Sequence, residues 1–176
     1  MTPRSVALLD ALIRPEDRAF EWGSGRSTAW LAARTARLTS VEHDPDWHAR
    51  VSAALAAEAR VECRLQPADP NGAADPAYCG AIDDAPDGAL DLVLIDGLYR
   101  DECARRALPK LAPGGLLVLD NSNRFLPSLS PAPGSRRSGC ASALWEEVAA
   151  SLTRWRRIWT TSGVTDTTVW IRPGRR

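Results

Sequence analysis

The chain has 176 residues, 22 of them basic and 22 acidic, for a formal net charge of zero. That length suits a single domain, 1–176, with a sizeable core, and the neutral balance argues against a globally basic binder of nucleic acid. Charge is nevertheless unevenly spread: residues 1–120 hold 13 basic and 19 acidic residues, and residues 121–176 hold 9 and 3. Either two oppositely charged surfaces result, or a basic rim draws in an anionic ligand. No basic run with interleaved aromatics supports nucleic acid. Cys63, Cys79, Cys103 and Cys140 are scattered without a Cys-x-x-Cys, so neither zinc nor a redox pair is indicated. No apolar run reaches membrane length and no signal-peptide core is present, so a soluble, reduced, cytoplasmic protein is expected.

In chain order, Val6, Leu8, Leu9, Leu12 and Ile13 form a helical stripe over 4–14 that Pro15 stops. A first strand is expected at 18–22, then a tight turn and a helix to about Thr35. A second strand, 37–42, precedes an Ala-rich helix over 46–60 with Asp46 as its cap. A third strand, 61–66, leads to a Pro/Asp/Gly/Ala-rich surface excursion over 67–88 with a short helix near 77–83. The runs 91–96 and 116–120 are continuously apolar, as in strands buried on both faces. Between them lies an Arg-rich helix over about 100–111, closed by Pro113-Gly114-Gly115. Residues 121–140, rich in Pro, Gly, Ser and Arg, are expected to be a mobile lid loop. A helix over 141–153 and two β-rich runs, 156–161 and 167–172, close the chain as an antiparallel hairpin. The class is α/β, a mostly parallel sheet with helices on both faces.

The most informative stretch is Glu21-Trp22-Gly23-Ser24-Gly25-Arg26-Ser27-Thr28. An apolar strand ending in Gly-x-Gly before a helix places a ligand over the strand's carboxyl end. Ser27 and Thr28 can cap that helix. A dinucleotide site would want a third glycine where Thr28 stands, and Glu21 beside the glycines disfavours phosphate and suits a cationic ligand. Glu42 ends the second strand, 17 residues beyond Gly25, where a carboxylate can accept hydrogen bonds from both hydroxyls of a ribose. His43, Asp44 and Trp47 follow; one of them flanks an adenine, or all three are ordinary helix-start packing.

This stretch resembles motif I of class I S-adenosylmethionine-dependent methyltransferases. Val41-Glu42-His43-Asp44-Pro45, Asp91 to Arg100, Leu111-Ala112-Pro113-Gly114-Gly115 and Leu119-Asp120-Asn121-Ser122 are similar to small bacterial members of that family. The resemblance implies a Rossmann-like seven-stranded sheet whose last strand is antiparallel. It implies that Glu21, Trp22, Gly23, Ser24, Gly25, Ser27, Thr28, Glu42, His43 and Asp96 line a site for S-adenosyl-L-methionine. It further implies O-methylation of a small-molecule acceptor, for which the basic residues would suit an anion, with Asp96, Tyr99 and Arg100 as catalytic candidates. Arg100 either binds an acceptor carboxylate or phosphate or pairs with Asp101 or Glu102. In catechol-type O-methyltransferases, acids at the corresponding strand ends bind a divalent cation, so Asp96, Asp120 and Asn121 are candidate ligands for Mg²⁺ or a similar ion. Tyr99 departs from that pattern, standing where those enzymes carry a lysine. In the alternative, Asp96 contacts the acceptor directly and Asp120-Asn121 merely ends a strand. Two rivals stay open: an NAD(P)-dependent reductase, weakened by Glu21 and by the absence of a Tyr-x-x-x-Lys pair, and a non-catalytic cofactor-binding module acting through a partner. The sequence leaves the oligomeric state open.

Overall fold

A computed structural model of the protein describes residues 1–174. Its strands are β1 (Arg18–Trp22), β2 (Arg37–Glu42), β3 (Val61–Leu65), β4 (Leu90–Ile95), β5 (Leu111–Asp120), β6 (Arg156–Thr161) and β7 (Asp166–Ile171). They form one sheet in the order β3-β2-β1-β4-β5-β7-β6. β1 to β5 pair in parallel, and β7 runs antiparallel to both β5 and β6. The strand order reverses between β1 and β4, so a crevice opens at their carboxyl ends, where ligands of open α/β sheets bind.

Side chains alternate across the sheet with the strand period of two. Phe20, Trp22, Val93 and Ile95 pack on one face, with Tyr78, Ile82, Cys103 and Trp145 from the helices covering it. Ala19, Leu92, Leu94 and Val118 pack on the other, under Leu9 and Leu31. Each fully buried Leu, Val or Ile contributes about 1.5–3 kcal/mol relative to exposure, so β1, β4 and β5 give the crevice a rigid floor.

The helices are α1 (Pro3–Leu12), α2 (Arg26–Ala32), α3 (Pro45–Ala54), α4 (Pro76–Gly80), α5 (Arg100–Lys110) and α6 (Ala143–Ser151). Two differ from the sequence expectation. α3 is capped by Asp44, whose carboxylate accepts from the Trp47 N–H, and not by Asp46. Pro45 explains the shift, because its fixed φ and missing N–H suit the first helical position. α3 also ends at Ala54, since beyond Val51 its residues bury little and alanine propensity alone does not sustain a helix. α2 likewise stops at Ala32.

Pro113-Gly114-Gly115 does not simply close α5. It lies inside β5, which starts five residues earlier than expected, and the β4–β5 register shifts between Leu90 and Leu92. Segment 121–140 is anchored at its base: Ser122, Asn123, Leu126, Ser130 and Ala132 are buried, whereas Leu129 is 94 % exposed. The Asp166 carboxylate accepts hydrogen bonds from Ser128 and Ser130 of this segment and from the Trp159 indole. Among the described residues, no helix is long and apolar enough to cross a membrane.

Candidate active site

The turn between β1 and α2 is shaped by two glycines for different reasons. Gly23 has φ +92°, and a Cβ there would sit 2.8 Å from the Asp96 carbonyl carbon and the Gly97 nitrogen. Backbone from β1 and β4 therefore meets at a distance that only glycine permits. Gly97 is the reciprocal case, because its Cβ would fall 2.0 Å from the buried Tyr78 hydroxyl and 3.0 Å from the Gly23 nitrogen. Gly25 adopts extended backbone open to any residue, and nothing but the Trp47 indole, at 4.0 Å, lies near its missing Cβ. Its bareness keeps the turn flat beneath a cavity of about 380 Å³ lined by Gly23, Ser24, Gly25, Ser27, Trp30 and Asp96.

Two glutamates hold this turn from below. The Glu42 Oε2 accepts the Ser24 N–H at 3.0 Å, and its Oε1 accepts the N–H groups of His43 and Asp44 at 2.9 and 3.0 Å. His43 Nδ1 lies 2.8 Å from the same Oε1. A carboxylate offers about four acceptor positions, so Oε2 retains capacity for a ribose hydroxyl. Glu21 is fully buried: its Oε1 accepts from the Thr28 hydroxyl and, at 2.9 Å, from the Ser40 hydroxyl. Its Oε2 has no hydrogen-bond partner among the described residues. Burial raises the Glu21 carboxyl to about 7, against hydrogen bonds from Thr28 and Ser40 and with a smaller push from Asp96.

Several sequence-predicted residues occupy other roles. The Trp22 ring is in the core, not the cleft; its indole N–H donates to the Tyr78 carbonyl at 2.9 Å. Alternation along β1 decides this, since Trp22 shares its face with Phe20, 4.7 Å away ring to ring. Thr28 is also fully buried, and its hydroxyl oxygen accepts the Gly25 N–H at 2.7 Å, so it braces the turn from beneath. The Tyr99 hydroxyl donates to the Asp69 carbonyl of the 67–88 excursion, which engages it away from the Asp96 carboxylate. Tyr99 and Asn121 both adopt left-handed backbone, at φ 44° and 50°, the first four residues after β4 and the second directly after β5. Non-glycine residues in that region cost about 1–3 kcal/mol and gather at functional sites.

Arg100 pairs with neither Asp101 nor Glu102. Its guanidinium donates to the Gly97 carbonyl, the Asp120 carbonyl, Asn121 Oδ1, the Asp96 carbonyl and Asp96 Oδ1, at 2.9, 2.5, 3.1, 2.9 and 3.0 Å. A guanidinium has five N–H donors, so none remains for an acceptor carboxylate or phosphate. The cation site suggested by Asp96, Asp120 and Asn121 does not fit this arrangement. Asp96 Oδ1 and Asn121 Oδ1 already serve Arg100, while Asp120 accepts from the Thr167 hydroxyl and the Met1 amino group, both at 2.7 Å. A divalent ion about 4 Å from the guanidinium would meet repulsion of about 8 kcal/mol at an effective dielectric of 20, twice the unit-charge value. Among the described residues, no cluster of three or more His, Cys, Asp or Glu side chains is arranged to hold a metal.

Asp96 keeps its Oδ2 without a hydrogen bond from the described residues and lines the cavity over the glycine turn. Burial raises its carboxyl above the usual range, Arg100 opposes that shift, and Asp120 adds to it. Its neighbours Gly97 to Asp101 line a second cavity of about 370 Å³, walled by Phe125 and Trp145 with Ser142 at its side. Phe125 and Trp145 stand 5.8 Å apart, and the Arg100 guanidinium lies 5.4 Å over the Phe125 ring. Tyr78, Phe125 and Ser142 had no sequence signal as site residues, because they lie in a short helix, after a one-turn helix and at a helix cap, outside any motif. Trp47 had one, its place five residues after Glu42; its indole N–H donates to the Ser24 carbonyl at 2.7 Å.

Residues 20–122 match the family model described as a methyltransferase domain. No curated protein matches the sequence significantly. Among solved structures, an rRNA methylase from Streptococcus thermophilus superposes with a TM-score of 0.62 at 12 % identity, covering 98 % of this chain and 95 % of that one. The N-methyltransferase NodS from Bradyrhizobium japonicum gives 0.59 at 17 % identity over 97 % and 95 %. Fibrillarin from Aeropyrum pernix, solved with natively bound S-adenosyl-L-methionine, gives 0.61 at 15 % identity over 95 % and 73 %.

Proposed function

Since the chain belongs to the methyltransferase-domain family and is a class I S-adenosylmethionine-dependent methyltransferase, we propose that it methylates an oxygen of a small-molecule acceptor. One observation carries the acceptor reading: two cavities of small-molecule size are lined by consecutive residues after β4, one over the glycine turn with Asp96 in its lining and one starting at Gly97 and walled by Phe125 and Trp145. In this reading the cofactor lies over Gly23, Ser24 and Gly25 with its ribose at Glu42 and His43, and the acceptor lies against Phe125. The bound cofactor supplies an electrophilic methyl group. Asp96 Oδ2 accepts the proton of the attacking hydroxyl, and its raised affinity for protons suits that task. The rest is alignment, since holding reacting groups in line replaces a bimolecular encounter. No step runs through a divalent cation, because its proposed ligands are committed to Arg100, Thr167 and Met1.

The acidic half of the sequence, residues 1–120, contributes the cofactor side, and 121–140 contributes Phe125 to the acceptor side. We read 121–140 as a cover whose base is fixed and whose tip, around Leu129, responds to ligands. The test is transfer of labelled methyl from S-adenosylmethionine to a panel of phenols, carboxylic acids, primary amines and total RNA. Label on a hydroxyl or carboxylate compound supports the reading; label on amines or RNA alone overturns it.

A further inference from the structure

We propose that Arg100 is the resident cation of the site: its guanidinium ties the ends of β4 and β5 together, in the place where the sequence suggested a divalent ion. The inference concerns the chain's own residues and holds whatever the acceptor proves to be. Three strand-end oxygens that would otherwise face one another, Asp96 Oδ1, Asn121 Oδ1 and the Asp120 carbonyl, all accept from the same planar group. Two further bonds, to the Gly97 and Asp96 carbonyls, fix the plane of that group. Every donor is used, so the side chain acts as a cross-link and not as a hand extended to a ligand.

The local sequence explains how this is possible. Left-handed backbone at Tyr99 starts α5 one residue later and sets Arg100 in its first turn, four residues after Asp96. Left-handed backbone at Asn121 turns the chain after β5, and its amide oxygen accepts from Arg100 while its amide nitrogen donates to the Thr165 hydroxyl at 2.7 Å. Phe125 stacks beneath the guanidinium at 5.4 Å, shielding one face. The positive charge thereby sits between Asp96 and the wall of the acceptor cavity. Arg100 is a positioning residue: it holds Asp96 Oδ1 and leaves Oδ2 free toward the cavity.

A cross-linking cation should be exchangeable for another cation once the arginine is removed, whereas a side chain that merely packs would not be. The experiment follows free Mn²⁺ by electron paramagnetic resonance during titration of chelator-treated protein, with thermal unfolding measured in parallel. Wild-type protein should take up no stoichiometric Mn²⁺ and show the same unfolding temperature in chelator and in Mn²⁺. Arg100→Ala exposes Asp96 and Asn121 and should bind about one Mn²⁺. Its lowered unfolding temperature should rise by about 5 °C or more at 100-fold excess over the dissociation constant. If Arg100→Ala does not fold, Arg100→Gln provides the same comparison with two donors retained. Stoichiometric Mn²⁺ binding by the wild type overturns the proposal, as does a folded variant that neither binds Mn²⁺ nor is stabilised by it. Neither result depends on methyl transfer, so failure here is distinguishable from failure of the acceptor reading.

Discussion

Glu21 is the most consequential single carboxyl for stability, and replacing it with glutamine gives a quantitative expectation. In the folded protein burial raises its carboxyl from 4.5 to about 7. Below pH 4.5 the group is protonated in both folded and unfolded chains and contributes no pH dependence. Between 4.5 and 7 the unfolded chain loses the proton while the folded one keeps it, so stability falls as pH rises and the loss is complete above about 7. A gap of about 2.5 pH units corresponds to roughly 3 kcal/mol at 1.36 kcal/mol per unit. That is a large part of the 5–15 kcal/mol typical of a domain. Glutamine keeps an oxygen for the Thr28 and Ser40 hydroxyls but cannot ionise. Urea unfolding of the wild type and Glu21→Gln at pH 5 and pH 8 isolates the effect, because every other titrating group is common to both. The stability difference between the two proteins should change by about 2.5 kcal/mol in favour of the variant from pH 5 to pH 8, since part of the full gap is already lost at pH 5. Parallel pH profiles would show that Glu21 is already ionised in the folded state and would refute the reasoning.

Gly23→Ala should destabilise the protein by about 2–4 kcal/mol, combining a left-handed backbone cost with overlap against fixed backbone of Asp96 and Gly97; chemical unfolding measures it, and a change below 0.5 kcal/mol would count against the close strand approach. Limited proteolysis around Leu129 should slow when cofactor and a competent acceptor are both present, and unchanged cleavage would remove the cover role assigned to 121–140.

Much of the fold was legible because strong local signals agreed with one another. The apolar runs before Asp96 and Asp120, the glycine turn and the terminal β-rich pair each had a single sensible place in a mixed sheet. Element ends were less legible, as Asp44 and Asp46 show: two equivalent caps two residues apart, decided by Pro45 between them. At the site, residue types and spacing located Glu42, Gly23 and Asp96, but not the direction in which neighbouring side chains point. Trp22 belongs to the motif and faces the core. Thr28 and Glu21 lie beneath the turn they were expected to line. The sequence treats Arg100 and the Asp96, Asp120, Asn121 set separately, the first as an anion binder or a partner of Asp101 or Glu102 and the second as a cation site. Only three-dimensional placement reveals that one group satisfies the other, because two of the five bonds reach the end of β5, 20 and 21 residues away in sequence.

The most direct measurement is calorimetric titration of the protein with S-adenosylmethionine, its demethylated product, NAD and NADP, repeated on Glu42→Ala. The wild type should bind the first two in the micromolar range and neither dinucleotide. Glu42→Ala should weaken cofactor binding by about 1–3 kcal/mol, the worth of charged hydrogen bonds to a ribose together with the loosened Ser24 turn. Binding of NADP without S-adenosylmethionine, or undiminished binding by the folded variant, would contradict a cofactor site built on the glycine turn and Glu42.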